Sequence, residues 1–151
     1  MVFTHILVAV DGSAAAAQAL ELADRIAGNA RLSALTVVPD YTTADFARAV
    51  FLNRPDVHDL HDALTRQGHQ LLDTSLAARS TTARPVHTLV AVSDDPALEI
   101  VEAAHREGCD LIVMGSRGRG RIASALVGSQ AQRVLATAKV PVLVVPAEPV
   151  G

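Results

Sequence analysis

Short apolar runs alternate with amphipathic stretches along this chain, and the alternation predicts its elements. HILVAV (His5–Val10) is an almost uninterrupted apolar run, the pattern of a strand buried on both faces. Asp11-Gly12 then turns the chain and Ser13 is placed to cap a helix. Ala16, Leu20, Ala23 and Ala27 give that helix one apolar side, and Gly28 ends it. RLSALTVV (Arg31–Val38) predicts a second strand, closed by Pro39. Residues 40–55 are irregular: Thr42-Thr43-Ala44-Asp45 has the form of a capping box, and Phe46, Val50 and Phe51 fall on one helical side. A longer helical pattern follows Pro55, with Val57, Leu60, Leu64, Leu71 and Leu72 apolar, and runs to about Ala78.

The second half repeats the scheme. PVHTLVAV (Pro85–Val92) is a third strand. Asp95-Pro96 starts a helix with an N-cap carboxylate and a first-turn proline, Ala97, Ile100, Val101 and Ala104 form its buried side, and Gly108 stops it. DLIVMG (Asp110–Gly115) is the fourth strand, residues 129–138 a helix, and VPVLVV (Val140–Val145) the fifth strand. Strands that alternate with helices and are apolar on both faces predict a single α/β domain over 1–151, an open, Rossmann-like parallel sheet with helices on both faces.

Composition narrows the class. Half of the 151 residues are hydrophobic and 19% are charged, which suits a compact core and not a disordered chain. A net charge of −3 gives no footprint for nucleic acid or an anionic membrane. No apolar run approaches the ~20 residues of a membrane span, and MVFTH lacks the basic and apolar regions of a signal peptide, so a cytoplasmic protein is expected. The one cysteine, Cys109, cannot form an internal disulfide and reads as a small core residue.

Chemistry concentrates in VMGSRGRGRIASALVGSQAQRV (Val113–Val134). This loop leaves the carboxyl end of the fourth strand, as Asp11 leaves that of the first. Open α/β sheets bind ligands there, where the strand order reverses. Glycine lets backbone approach a ligand, and a helix opening near Ser129 would point free N–H groups at an anion. Arg117, Arg119 and Arg121 add positive charge in a net acidic protein. Read from these residues alone, the segment is either a phosphate cradle or a solvated loop, and Asp11 either a ligand contact or a turn residue.

The spacing Gly115-x2-Gly118-x9-Gly128-Ser129 resembles the nucleotide-binding motif of the universal stress protein family. The resemblance covers nearly the whole chain: ILVAVDGS in the first strand, DLIVMGSRGRG in the fourth, then GSQAQRVL and VPVLVVP. It implies strand order 3-2-1-4-5 and a crevice between strands 1 and 4 that holds ATP, with magnesium carried on the phosphates. Ala9, Val10 and Asp11 would border the adenosine and Val38 would hold the adenine. Met114 and Gly115 would lie along the ribose, and Arg117 and Gly118 near the phosphates. Gly128, Ser129 and Gln130 would donate to phosphate. The resemblance also implies a homodimer through Val142, Leu143, Val144 and Val145, which would cover an apolar edge strand. Three positions depart from the family pattern: Gln130 replaces a small apolar residue, Ala131 lacks the hydroxyl common there, and Asp94 replaces a frequent glycine.

The function this implies is nucleotide-dependent regulation under stress, with an unassigned downstream protein partner. Two alternatives stand beside it, a dimeric interaction module of the same fold that no longer binds nucleotide and a slow ATPase. Paired carboxylates and a loop lysine are missing, since the single lysine is Lys139, so no catalytic residue is assigned. His58 and His61, three apart on a helix, have metal-ligand spacing but no evident third ligand, and read as a solvated face. His87 reads as a hydrogen-bonded strand residue. Tyr41, Phe46 and Phe51 read as a flap, an intersubunit contact or local packing.

Overall fold

A computed structural model describes residues 2–40, 57–79, 84–117 and 127–147. In chain order the elements are β1 (His5–Ala9), α1 (Ala14–Ile26), β2 (Arg31–Val38), α2 (Val57–Ala77), β3 (Val86–Val92), α3 (Pro96–Arg106), β4 (Leu111–Gly115), α4 (Ser129–Thr137) and β5 (Val142–Val145). The strands form one sheet in the order β3-β2-β1-β4-β5, with every pairing parallel. The expected fold and order hold. The capping-box segment and its aromatics, and Arg119 and Arg121, lie outside the described residues.

Strand side chains alternate between two cores because their period is two. Ile6, Val8, Leu32, Ala34, Leu111 and Val113 pack beneath α1 and α2, together with Ala19, Leu20, Ala23 and Leu72. Leu7, Leu35, Ile112 and Met114 face the other way, onto Ala97, Ile100, Ala103 and Ala104 of α3 and Ala131 and Val134 of α4. Cys109 is buried in this second core, and burial pushes its thiol up to about 11, so it packs and does not react. Gly68 lets α2 lie close on the sheet. A Cβ there would stand 2.5 Å from Val90 Cγ1 and 3.0 Å from Val38 Cγ2.

Helix ends are specified locally. Ser13 Oγ accepts from the Ala16 N–H at α1, and Asp95 Oδ1 accepts from the Leu98 N–H at α3, caps that each stabilise by about 1 kcal/mol. Gly28 and Gly108 follow α1 and α3 at φ 55° and 69°, the left-handed exit that glycine takes without strain. Below the sheet, Asp24 of α1 is buried and its carboxylate meets Arg79 Nη1 at 3.3 Å and Arg84 Nε at 3.1 Å. Arg84 also donates to the carbonyls of Gly28 and Ala30, so it ties the end of α1 to the approach to β3.

His5 organises the amino-terminal edge of the sheet. It is 4% exposed, its Nδ1 lies 3.0 Å from the Glu107 carbonyl and its Nε2 lies 2.8 Å from Ser33 Oγ. The neutral ring with Nδ1 protonated satisfies both, donating to the carbonyl and accepting from the hydroxyl. Asp110 accepts from the backbone N–H groups of Thr4 and His5, joining β1 to the start of β4. Burial, reinforced by the Arg31 guanidinium, holds the His5 pKa below its ordinary 6.5 against the opposing pull of Glu107 and Asp110. The unfolded chain therefore takes up a proton first as pH falls, and stability is lost below pH 6.5. Urea unfolding at successive pH values should show this decline between neutrality and mild acid, and His5→Gln should flatten it. An unchanged slope in the variant would assign the loss to other groups.

Candidate functional site

β1 sits between β2 and β4, and the chain leaves β1 toward one face of the sheet and β4 toward the other. The carboxyl ends of β1 and β4 therefore part around a cleft of about 700 Å3. Its floor is Ala9, Val10 and Asp11 from β1 and its exit, and Met114 through Arg117 from β4 and its exit. Leu35 and Val37 wall it on the β2 side, and Pro96 and Ile100 of α3 close the back. Val127, Gly128, Ser129, Gln130 and Ala131 bring the first turn of α4 to the rim.

Nearly every residue expected to border a ligand lies here: Ala9, Val10, Asp11, Met114, Gly115, Arg117, Gly128, Ser129 and Gln130. Gly118 lies outside the described residues. Val38 is a correction. Its side chain is buried against Gly68 of α2, on the opposite face of the sheet, and it does not line the cleft. The strand period puts its neighbour Val37 on the cleft side. The backbone agrees. The Val10 N–H donates to the Leu35 carbonyl at 2.8 Å, the last link between β1 and β2, whereas the Val38 carbonyl accepts from Ser93 on the β3 side. Two residues beyond Leu35, the Val37 N–H and C=O thus open onto the cleft where β1 has ended.

Each expected contact also does structural work. Asp11 Oδ1 accepts from the Ser13 N–H at 2.9 Å, an Asx turn that feeds α1, and Gly12 between them has φ 82°. Both readings of Asp11 are therefore realised in one carboxylate, which turns the chain and faces the cleft. Gly115 is required by packing: a Cβ would lie 2.7 Å from Ala15 Cβ and 2.9 Å from the Ala15 carbonyl carbon. Its lack of a side chain brings the start of α1 against β4. Gly128 is the N-cap of α4 and makes no side-chain cap, and its N–H donates to the Ser116 carbonyl, closing the long loop back onto β4.

α4 is laced to α3 beside the cleft. Gln130 Oε1 accepts from the Ala97 N–H at 3.1 Å, which leaves its amide Nε2 and backbone N–H as donors. Arg133 grips Asp95 with both guanidinium nitrogens, at 2.8 and 2.9 Å. That contact and the Leu98 N–H hold the Asp95 carboxyl below the usual carboxylate range. Asp94 Oδ1 accepts from the Asp40 N–H, joining the end of β2 to the turn before α3. With no carboxylate but Asp11 among its described lining residues, the cleft presents backbone donors, hydroxyls and apolar walls.

Sequence reasoning missed Leu35, Val37, Pro96 and Ile100 as lining residues. Nothing local marks Pro96 and Ile100, which arrive through the crossover from β3. The His58 side chain lies outside the described residues, and among those residues no group of three His, Cys, Asp or Glu could hold a metal. His87 is exposed on the edge strand β3. No helix among the described residues is long and apolar enough to cross a membrane.

The fold and the cleft define a doubly wound α/β protein with a crevice at its switch point. The universal stress protein family model matches residues 3–146, and the chain belongs to that family. A Thermus aquaticus universal stress protein is 36% identical over 148 residues, covering 95% of this chain and 98% of that one. Among solved structures, UspA from Lactobacillus plantarum superposes with a TM-score of 0.73 at 29% identity, over 94% of this chain and 97% of that one. A universal stress protein solved in complex with cAMP gives 0.60 at 26%, over 96% and 98%.

Gly115→Val should push α1 off β4 and destabilise the protein by roughly 1–3 kcal/mol in urea unfolding, the usual cost of overpacking. A variant as stable as the parent would show that the α1–β4 approach has slack.

Proposed function

We propose that the cleft binds an adenine nucleotide, ATP with magnesium carried on its phosphates, and that the protein acts by nucleotide-dependent regulation in the cytoplasm. The observation that carries this reading is convergence: the free N–H groups that open α4, the Arg117 charge and the open backbone edge at Val37 all face one crevice. Val37 offers a backbone donor and acceptor that suit the edge of an adenine ring. Leu35, Val37 and Ile100 supply apolar surface for the ring. The remaining acceptor capacity of Asp11 suits a ribose hydroxyl. The N–H groups of Ser129 and Gln130 and the positive end of the α4 dipole suit phosphate. The related structure solved with cAMP supports an adenine nucleotide as the ligand class.

The reading is binding and not turnover. Phosphoryl transfer needs a positioned base and charge clamps, and here the one carboxylate among the described lining residues is already committed to a turn. Occupancy would instead fix the loop between Gly115 and Gly128. β5 is an edge strand whose Val142, Leu143 and Val144 are only half-buried, and we place the homodimer there, each copy covering the other's edge. Ala131, buried and without a hydroxyl, is the observation that favours a nucleotide-free interaction module as the second reading.

ATP with magnesium at a hundred times its Kd should stabilise the fold by about 2.7 kcal/mol, visible as a raised melting temperature. Gly128→Trp should abolish that rise, and the untreated protein should sediment at twice the mass of one chain. No shift at millimolar ATP, in a protein that still sediments as a dimer, would select the interaction module.

A further inference from the structure

The two helices that meet at the back of the cleft are joined at its rim by polar side chains. α3 opens with Asp95 as its N-cap and Pro96 in its first turn. Proline has no N–H to satisfy, the Leu98 N–H donates to Asp95 Oδ1, and the Glu99 N–H makes the first intrahelical bond, to the Asp95 carbonyl. That leaves the Ala97 N–H, and its acceptor comes from the other helix: Gln130 Oε1, 3.1 Å away and 33 residues distant in sequence. Further along α4, Arg133 takes both Asp95 carboxylate oxygens, at 2.8 and 2.9 Å, a bidentate grip on the same cap. The small apolar residue common at position 130 in the family could not make the first of these bonds.

We propose that Gln130 is a positioning residue of the cleft, clamping the first turn of α4 to the start of α3 with the help of Arg133, and so carrying ligand occupancy from α4 into α3. This rests on the nucleotide reading of the cleft and deepens it. Pro96 and Ile100 line the cleft from α3, and Ser129, Gln130 and Ala131 line it from α4, so the spacing of the two helix starts sets its width there. Gly128 gives α4 no side-chain cap. Gln132 Nε2 donates to the Val127 carbonyl and the Gly128 N–H to the Ser116 carbonyl, which fastens the turn to the loop before it and to β4. Gln130 and Arg133 fasten it to the opposite wall. Gln130 is divided between two tasks: its side-chain oxygen holds α3, while its backbone N–H lies in the open first turn. A ligand that accepts from that turn therefore pulls on a residue tied to Ala97. Asp95 is at once clamp and cap, so displacing α4 also draws its carboxylate from the Leu98 N–H. Either contact alone contributes little at an exposed rim. Together they hold one helix turn at two points.

The test is Gln130→Ala, which keeps the α4 backbone and removes the acceptor, read from backbone amide shifts in isotope-labelled protein titrated with ATP and magnesium. In the parent, ATP should shift the Ala97 and Leu98 amides of α3 together with those of the first turn of α4. In Gln130→Ala the Ala97 and Leu98 response should disappear while the Asp11 and Val37 responses persist. Calorimetric affinity for ATP should fall about five- to ten-fold, because the ligand must then order the turn itself. Gln130→Glu keeps an acceptor for the Ala97 N–H and should restore the Ala97 response, even where its added charge weakens ATP binding. A lower melting temperature of ligand-free Gln130→Ala, with affinity and the Ala97 response unchanged, would make the residue a structural tie and overturn the proposal. A parent in which Asp11 and Val37 respond to ATP and Ala97 does not would overturn it and leave the nucleotide reading standing. A parent with no responding amide at millimolar ATP would overturn both.

Discussion

Parallel strands must be joined by crossovers, and those crossovers are right-handed. Here the chain builds outward from β1 to β2 and β3 with α1 and α2 on one face, then must return past β1 to lay down β4 on its other side. The same handedness sends α3 and α4 to the opposite face. Between β1 and β4 the chain leaves toward opposite faces, and among the described residues a cleft lies above the strand ends. The cleft is therefore a consequence of the winding and not a feature added to it. What the sequence adds is the chemistry of its rim.

That chemistry is economical because each rim residue also holds the fold together. Asp11 turns the chain into α1, Gly115 admits α1 against β4, Gly128 closes the long loop onto Ser116, and Gln130 and Arg133 bind α4 to α3. A ligand touching several of these groups at once would bridge both faces of the sheet. This coupling is what the proposed binding-based regulator requires, with no chemical step needed.

The layered α/β architecture was legible because strands buried on both faces leave continuous apolar runs, and capped helices leave periodic ones. The order of the strands rested on the family resemblance, since apolar runs carry no record of which strand lies next to which. The same continuity hid a finer detail. Val37 and Val38 are both apolar in a strand with two buried faces, so no alternation marked which one faces the crevice, and only the packing of Gly68 against Val38 separates them. Gly115 was legible as special, although its reason is helix packing as much as ligand approach. The tie between Gln130 and Ala97 spans 33 residues of sequence and depends on how two helices meet, which no local pattern encodes.

The most direct test of the central claim, that an adenine nucleotide occupies the gap between β1 and β4, is a map of backbone amide shifts in isotope-labelled protein titrated with ATP and magnesium. The account predicts the largest changes at Asp11, Val37, Ser116 and the first turn of α4, with Val38 moving less than Val37. Shifts that leave these amides untouched, or no shifts at millimolar ATP, would contradict it.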